Sequence, residues 1–109
     1  MFEIYQSEKS QEYYFRLKAK NGQIILASEG YKSKASAQNG VESVKKNCGN
    51  DGFFERREAK NGKPYFILKA GNGQEIGRSQ MYASTTSMEN GIQSVKNNAP
   101  DGEVKDLTA

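Results

Sequence analysis

No histidine occurs anywhere in the 109 residues, and cysteine occurs once. The first absence removes the commonest general base, the commonest metal ligand and every Ser-His or Cys-His pairing. A single cysteine, Cys48, rules out an internal disulfide, and the usual zinc ligand sets cannot be assembled around it. Long apolar runs are missing too: none approaches the roughly 20 residues that cross a bilayer. No membrane partner is therefore expected. The opening MFEIYQSEK has no basic stretch leading into an apolar one, so no signal peptide is expected and a cytoplasmic location is the default. There is no Walker loop and no dinucleotide-binding G-x-G-x-x-G. Carboxylate pairs occur, such as Glu55 with Glu58 and Glu103 with Asp106, but none stands beside a nucleophile. An enzyme is not expected: no catalytic residue, no metal ligand and no cofactor is assigned.

What is there is a repetition. Residues 14–48 align without a gap to residues 65–99 at a constant offset of 51, and 19 of the 35 paired positions are identical. Two copies of one structural unit follow. A unit of about 50 residues buries too little surface to stand alone comfortably, so the copies are expected to share a core. The composition, 35% hydrophobic and 27% charged with two prolines, is that of an ordinary globular chain and not a disordered one. The expectation is one domain over residues 1–109, with repeat one over about 1–50 and repeat two over about 51–109.

Each copy begins with short alternating segments and closes with a helical one. Phe2 to Tyr5, Tyr13 to Ala19 and Gln23 to Ser28 read as strands, as do Phe54 to Glu58, Pro64 to Ala70 and Gln74 to Ser79. Asn21-Gly22, Asn61-Gly62 and Asn72-Gly73 mark hairpin turns. Three-residue loops ending in Gly22 and Gly73 would set Ile25 opposite Leu17, Ala27 opposite Phe15 and Ile76 opposite Leu68. Helices are expected from about Ser33 to Asn47 and Ser84 to Asn98, with the two serines as N-caps. Ala37, Val41, Val44 and Cys48 recur at helical spacing, as do Met88, Ile92, Val95 and Ala99. Cys48 thus reads as a small buried hydrophobe. Gly40 and Gly91 recur inside both helices, where a glycine costs on the order of 1 kcal/mol against alanine. Close approach of helix to strand is the expected reason. Tyr31 and Tyr82 are expected to make a hydrophobic contact where the helices start. Asp-Gly turns after both helices lead into extended segments, the last of which, through Leu107, reads as a strand pairing with an exposed sheet edge.

The run Phe15-Arg16-Leu17-Lys18-Ala19 through Lys45, repeated as Phe66-Ile67-Leu68-Lys69-Ala70 through Lys96, resembles the YegP-like family of small bacterial proteins. That family is known as a domain of unknown function and often occurs as a tandem pair. The resemblance covers essentially the whole chain. It implies an α+β fold: a tandem β-β-β-α(-β) unit, with antiparallel meanders joined into one sheet, two helices on one face, and C-terminal strands exchanged between units. It implies no activity, substrate or catalytic residue.

With both helices on one face, the other face is open. Alternation places Tyr5, Tyr14, Arg16, Lys18, Arg57, Tyr65, Ile67 and Lys69 there. Aromatics interleaved with cations form a platform for stacked bases and phosphates. The net charge of +3 agrees with a polyanionic partner without specifying one. The expected function is a non-catalytic interaction module, with weak nucleic-acid binding by this face, set against a structural or protein-interaction role. A monomer is expected, with self-association as a further use of the face. Lys32, Lys34, Lys45 and Lys46 make the first helix basic; the second keeps mainly Lys96, so that side is not a duplicated site.

Overall fold

Alternation, turn chemistry and helical spacing become a seven-stranded mixed sheet and two helices in the computed structural model, which describes residues 1–108. Repeat one contributes β1 (Phe2–Gln6), β2 (Tyr13–Lys18), β3 (Ile24–Ala27) and α1 (Lys34–Asn47). A 3-10 turn at Asp51–Phe53 leads into repeat two: β4 (Phe54–Glu58), β5 (Pro64–Lys69), β6 (Glu75–Arg78), α2 (Thr85–Asn98) and finally β7 (Val104–Asp106). The strand order is β4-β5-β6-β3-β2-β1-β7. The two meanders meet where β3 runs antiparallel to β6, with Ala27 opposite Arg78. Because the join is antiparallel and the six meander strands are ordered symmetrically about it, the repeats are related by a local two-fold axis through the sheet, with β7 outside the symmetry.

β7 closes the arrangement by pairing in parallel with β1, Phe2 opposite Val104 and Ile4 opposite Asp106. The strand after α2 thus covers the edge of the other repeat's meander, the exchange that the family resemblance implies. Phe2 N–H donates to the Glu103 carbonyl at 2.7 Å and Leu107 N–H to the Ile4 carbonyl at 2.8 Å.

Both helices lie on one side. Register sets the strands' inward set, Phe2, Ile4, Phe15, Leu17 and Leu26 in one copy with Phe54, Phe66 and Leu68 in the other. These form one buried cluster with Ala37, Val41 and Val44 of α1 and Met88, Ile92 and Val95 of α2. Each helix also crosses the seam: α1 packs on β1, β2 and the other copy's β6, and α2 on β5 and β3. The N-caps form as the serines predict, Ser36 N–H donating to Ser33 Oγ and Ser87 N–H to Ser84 Oγ, both at 3.1 Å. Cys48 and Ala99 are buried at equivalent places, and burial pushes the Cys48 thiol pKa up. Among the described residues no helix is long and apolar enough to cross a membrane.

One expectation fails. The three-residue loops form, with Gly22 and Gly73 at φ +85° and +84°, and Lys18 stands opposite Ile24 as they require. The ladder then shifts by one residue. Leu17 faces Leu26, not Ile25; Arg16 faces Ala27; and Leu68 faces Gly77, not Ile76. Ile25 and Ile76 are the extra residues of β-bulges. A regular strand sends neighbouring side chains to opposite faces, whereas the bulge lets Ile25 and Leu26, 4% and 0% exposed, both be buried. Ser28 replaces Ala27 beside Phe15, its Oγ accepting the Phe15 N–H at 2.9 Å; Ser79 does the same for Phe66 at 3.0 Å.

Candidate binding face

The pairings fix what stands on the helix-free side. From β7 to β4, one row across the sheet reads Lys105, Glu3, Arg16, Ala27, Arg78, Ile67 and Glu55. Tyr5 and Tyr14 flank this row in repeat one, and Arg57 with Tyr65 in repeat two. Because β3 meets β6 antiparallel, Lys69, opposite Glu75, lies on the same side of the row as Tyr5 and Tyr14, and Lys18, opposite Ile24, on the same side as Arg57 and Tyr65. Tyr5, Tyr14, Arg16, Lys18, Arg57, Tyr65 and Lys69 are thus brought onto one surface, in two groups separated by β3 and β6.

The two groups differ. In repeat one the Tyr5 and Tyr14 rings stack, with centres 5.5 Å apart and planes 15° from parallel. The Arg16 guanidinium lies over Tyr5, 4.6 Å from the ring centre. In repeat two Arg57 takes the place of Tyr5, and the side chain opposite Arg78 is Ile67. Ile67, between Glu55 and Arg78 in the row, is 0% exposed, so it presents no surface to a partner.

Carboxylates were the part of this face that sequence reasoning missed. Glu3 accepts from Arg16 Nε at 2.7 Å and lies 3.2 Å from Lys18 Nζ. Glu55 binds Arg57 at 2.7 Å and Lys69 at 2.9 Å, and Glu75 binds Arg78 at 3.0 Å. The available signal was alternation itself: Glu3 and Glu55 share the parity of Tyr5 and Arg57. The Arg16 guanidinium, aided by Lys18, holds Glu3 below the ordinary carboxylate range against the cost of its burial. Lys69 and then Arg57 do the same for Glu55.

Outside this face, Lys96 and then Arg56 depress Asp51. Thr108 and Lys34 bring Asp106 to about 2. Much of the basic side of α1 is thereby structural: Lys34 ties the helix to β7 at 2.9 Å, and Lys45 lies over the Phe2 ring. A carboxylate whose pKa falls on folding stabilises the native state above its unfolded pKa, and that contribution is lost as pH drops through the folded value. Thermal midpoints should therefore hold from neutrality down to the carboxylate range, then fall toward about pH 2, where Asp106 is protonated. Glu3→Gln should remove part of this acid limb. An acid limb unchanged in that variant would show that the Glu3 pairs contribute nothing.

Among the described residues no group of three His, Cys, Asp or Glu side chains is placed to hold a metal ion. The fold and its face define a tandem β-β-β-α repeat protein with one open sheet surface. The chain belongs to the family described as "Domain of unknown function (DUF1508)", whose sequence profile matches it twice, over residues 8–55 and 59–106. A UPF0339 protein of Acinetobacter baylyi is 59% identical over 107 residues, covering 98% of this chain and 96% of that one. A UPF0339 protein encoded in the 5' region of the ptx operon of Stutzerimonas stutzeri is 57% identical over 106 residues, with 97% and 95% covered. The solution NMR structure of UPF0339 protein SO3888 from Shewanella oneidensis superposes with a TM-score of 0.91 at 47% identity, covering 97% of this chain and 89% of that one. That of yegP from E. coli, a protein of unknown function, gives 0.87 at 48% identity, with 97% and 90% covered.

Proposed function

We propose that the chain is a non-catalytic binding module that holds single-stranded nucleic acid weakly against the open sheet face. The carrying observation is where the charge lies. Strand residues of this face comprise six cations, Arg16, Lys18, Arg57, Lys69, Arg78 and Lys105, against three carboxylates, Glu3, Glu55 and Glu75. The excess equals the whole formal charge of +3, so the rest of the molecule balances at ten cations and ten carboxylates. The half-exposed Tyr5–Tyr14 stack adds ring surface next to those cations.

The ion pairs set the strength. A phosphate must compete with Glu3 and Glu55 for the same guanidinium and ammonium groups, so much of the Coulomb gain is already spent inside the protein. Affinity on the order of 0.1 mM at physiological salt is expected, rising as salt falls because bound counterions are released. Titration with a short oligothymidine in low salt should shift the amides of Tyr14, Arg16 and Lys69. The double variant Lys69→Gln, Lys105→Gln should weaken binding several-fold and flatten the salt dependence. No amide shift at those residues in low salt removes the reading.

A further inference from the structure

The local two-fold axis generates a second pair of features, two grooves between the repeats. One, of about 390 Å³, lies between α1 and the β5–β6 hairpin; the other, of about 450 Å³, lies between α2 and the β2–β3 hairpin. Each is walled by the helix of one copy and the hairpin of the other. Ten of the eleven residues lining the first have their counterpart at the offset of 51 in the second; Glu75 lines only the first, and Asn21 and Ala83 only the second. Asn39 and Gln74 line the first where Asn90 and Gln23 line the second, and Tyr31 and Tyr82 line them in the same way.

The duplication says which identities need explaining. Most polar side chains kept in both copies have a partner inside the molecule. Lys18 and Lys69 bind Glu3 and Glu55. Asn21 and Asn72 cap their hairpin turns. Asn47 and Asn98 donate to Ser43 and Ser94. Lys45 and Lys96 cover the Phe2 and Phe54 rings. The carboxamides of Asn39, Asn90, Gln23 and Gln74 have none among the described residues, although all four are exposed and identical between copies. The hydroxyl of Tyr82, buried in the wall of the second groove, also lacks an aligned hydrogen bond. A buried donor left without a partner costs about 1–3 kcal/mol. The polar groups without an internal role thus gather in the grooves.

We infer that the two grooves are equivalent binding sites for an extended peptide segment, recognised through its main chain. A carboxamide offers one donor and one acceptor side in the geometry of a peptide unit. With Asn on the helix wall and Gln on the hairpin wall, a strand lying between them can be hydrogen-bonded from both sides. The second groove is lined by neutral groups only, so a charged ligand would lose hydration there without compensation. Sugars and nucleobases are held largely by stacking on open rings, whereas Tyr31 and Tyr82 stack on Phe15 and Phe66. Side-chain preference differs between the grooves: Glu29 lines the first where Gln80 lines the second, so a lysine-bearing peptide favours the first. This site is separate from the sheet face proposed above and does not depend on it.

The test is a titration of the whole chain with blocked tetra-alanine amide, following the side-chain amide signals of the four carboxamides. Both grooves should respond together, with dissociation constants on the order of millimolar. Asn39→Ala and Asn90→Ala should each silence the response of their own groove and leave the other. Since both residues are exposed helix positions, neither variant should lower the thermal midpoint. Replacing one alanine of the peptide by lysine should tighten the first groove more than the second. The inference is overturned if the carboxamide signals stay fixed to about tenfold above the millimolar range. It is equally overturned if maltose or oligothymidine moves them while the peptide does not.

Discussion

Phe15→Ala should cost about 3–5 kcal/mol of folding stability, the range for deleting a buried aromatic side chain. Phe15 is 0% exposed, meets the edge of Phe2 at 6.2 Å and stacks under Tyr31 at 6.2 Å. A domain of this size holds only about 5–15 kcal/mol in total, so the variant should stand near the threshold of folding. The way it unfolds carries as much information as the amount. α1 packs on β6 and α2 on β3, so the core is continuous across the seam between copies. Damage in repeat one should therefore lower the stability of both repeats, in a single cooperative transition. Urea denaturation followed by circular dichroism and by tyrosine fluorescence would check this, with coincident curves expected. Two separated steps, with repeat two holding at its original midpoint, would show that each copy stands on a core of its own.

Gly91→Ala should destabilise the protein although alanine is the better helix former. On an open helix face the exchange would gain about 1 kcal/mol. Here the new methyl would collide with Tyr82 Oη and sit 2.7 Å from Cζ. The ring cannot retreat freely, because its other side stacks on Phe66 with planes 13° apart. Overpacking of this kind costs about 1–3 kcal/mol, which outweighs the propensity gain. Gly40→Ala should behave alike, its methyl falling 2.7 Å from both Phe15 Cε2 and Tyr31 Oη. The discriminating measurement is a double-mutant cycle. In a Tyr82→Ala background, Gly91→Ala should change sign and become neutral or stabilising, with a coupling energy of about 1–3 kcal/mol. A stabilising Gly91→Ala in the unmodified protein would mean that the glycine is kept for a reason other than space.

The same glycines show how far local reading reaches. Their recurrence at one helical position in both copies announced a close approach, but the object approached was not visible. It is a tyrosine from just before the helix, folded back beneath it and laid on a phenylalanine from β2 or β5. The open sheet face divides similarly. Alternation was enough to gather Tyr5, Tyr14, Arg16, Lys18, Arg57, Tyr65 and Lys69 on one side. That Glu3 pairs with two of those cations depends on β1 lying beside β2 in a particular register. That Ile67 is buried on this face could not be read from alternation, which placed it with the exposed residues. Even the hairpins were only half legible: the loop chemistry of Gly22 and Gly73 was correct, and the bulge beyond each loop was not.

Sequence alone determined the units. Periodicity, turn glycines, serine caps and an internal offset of 51 are local or repetitive signals, written in residues that act within a few positions of one another. The tertiary structure decided where the copies meet, which strand slips to bury two neighbours, how charge is shared across the sheet, and that a helix and a hairpin about 35 residues apart enclose a groove. These outcomes are set by packing and pairing between segments distant along the chain. Such contacts gain free energy only once the whole sheet is assembled, so no single stretch carries their mark.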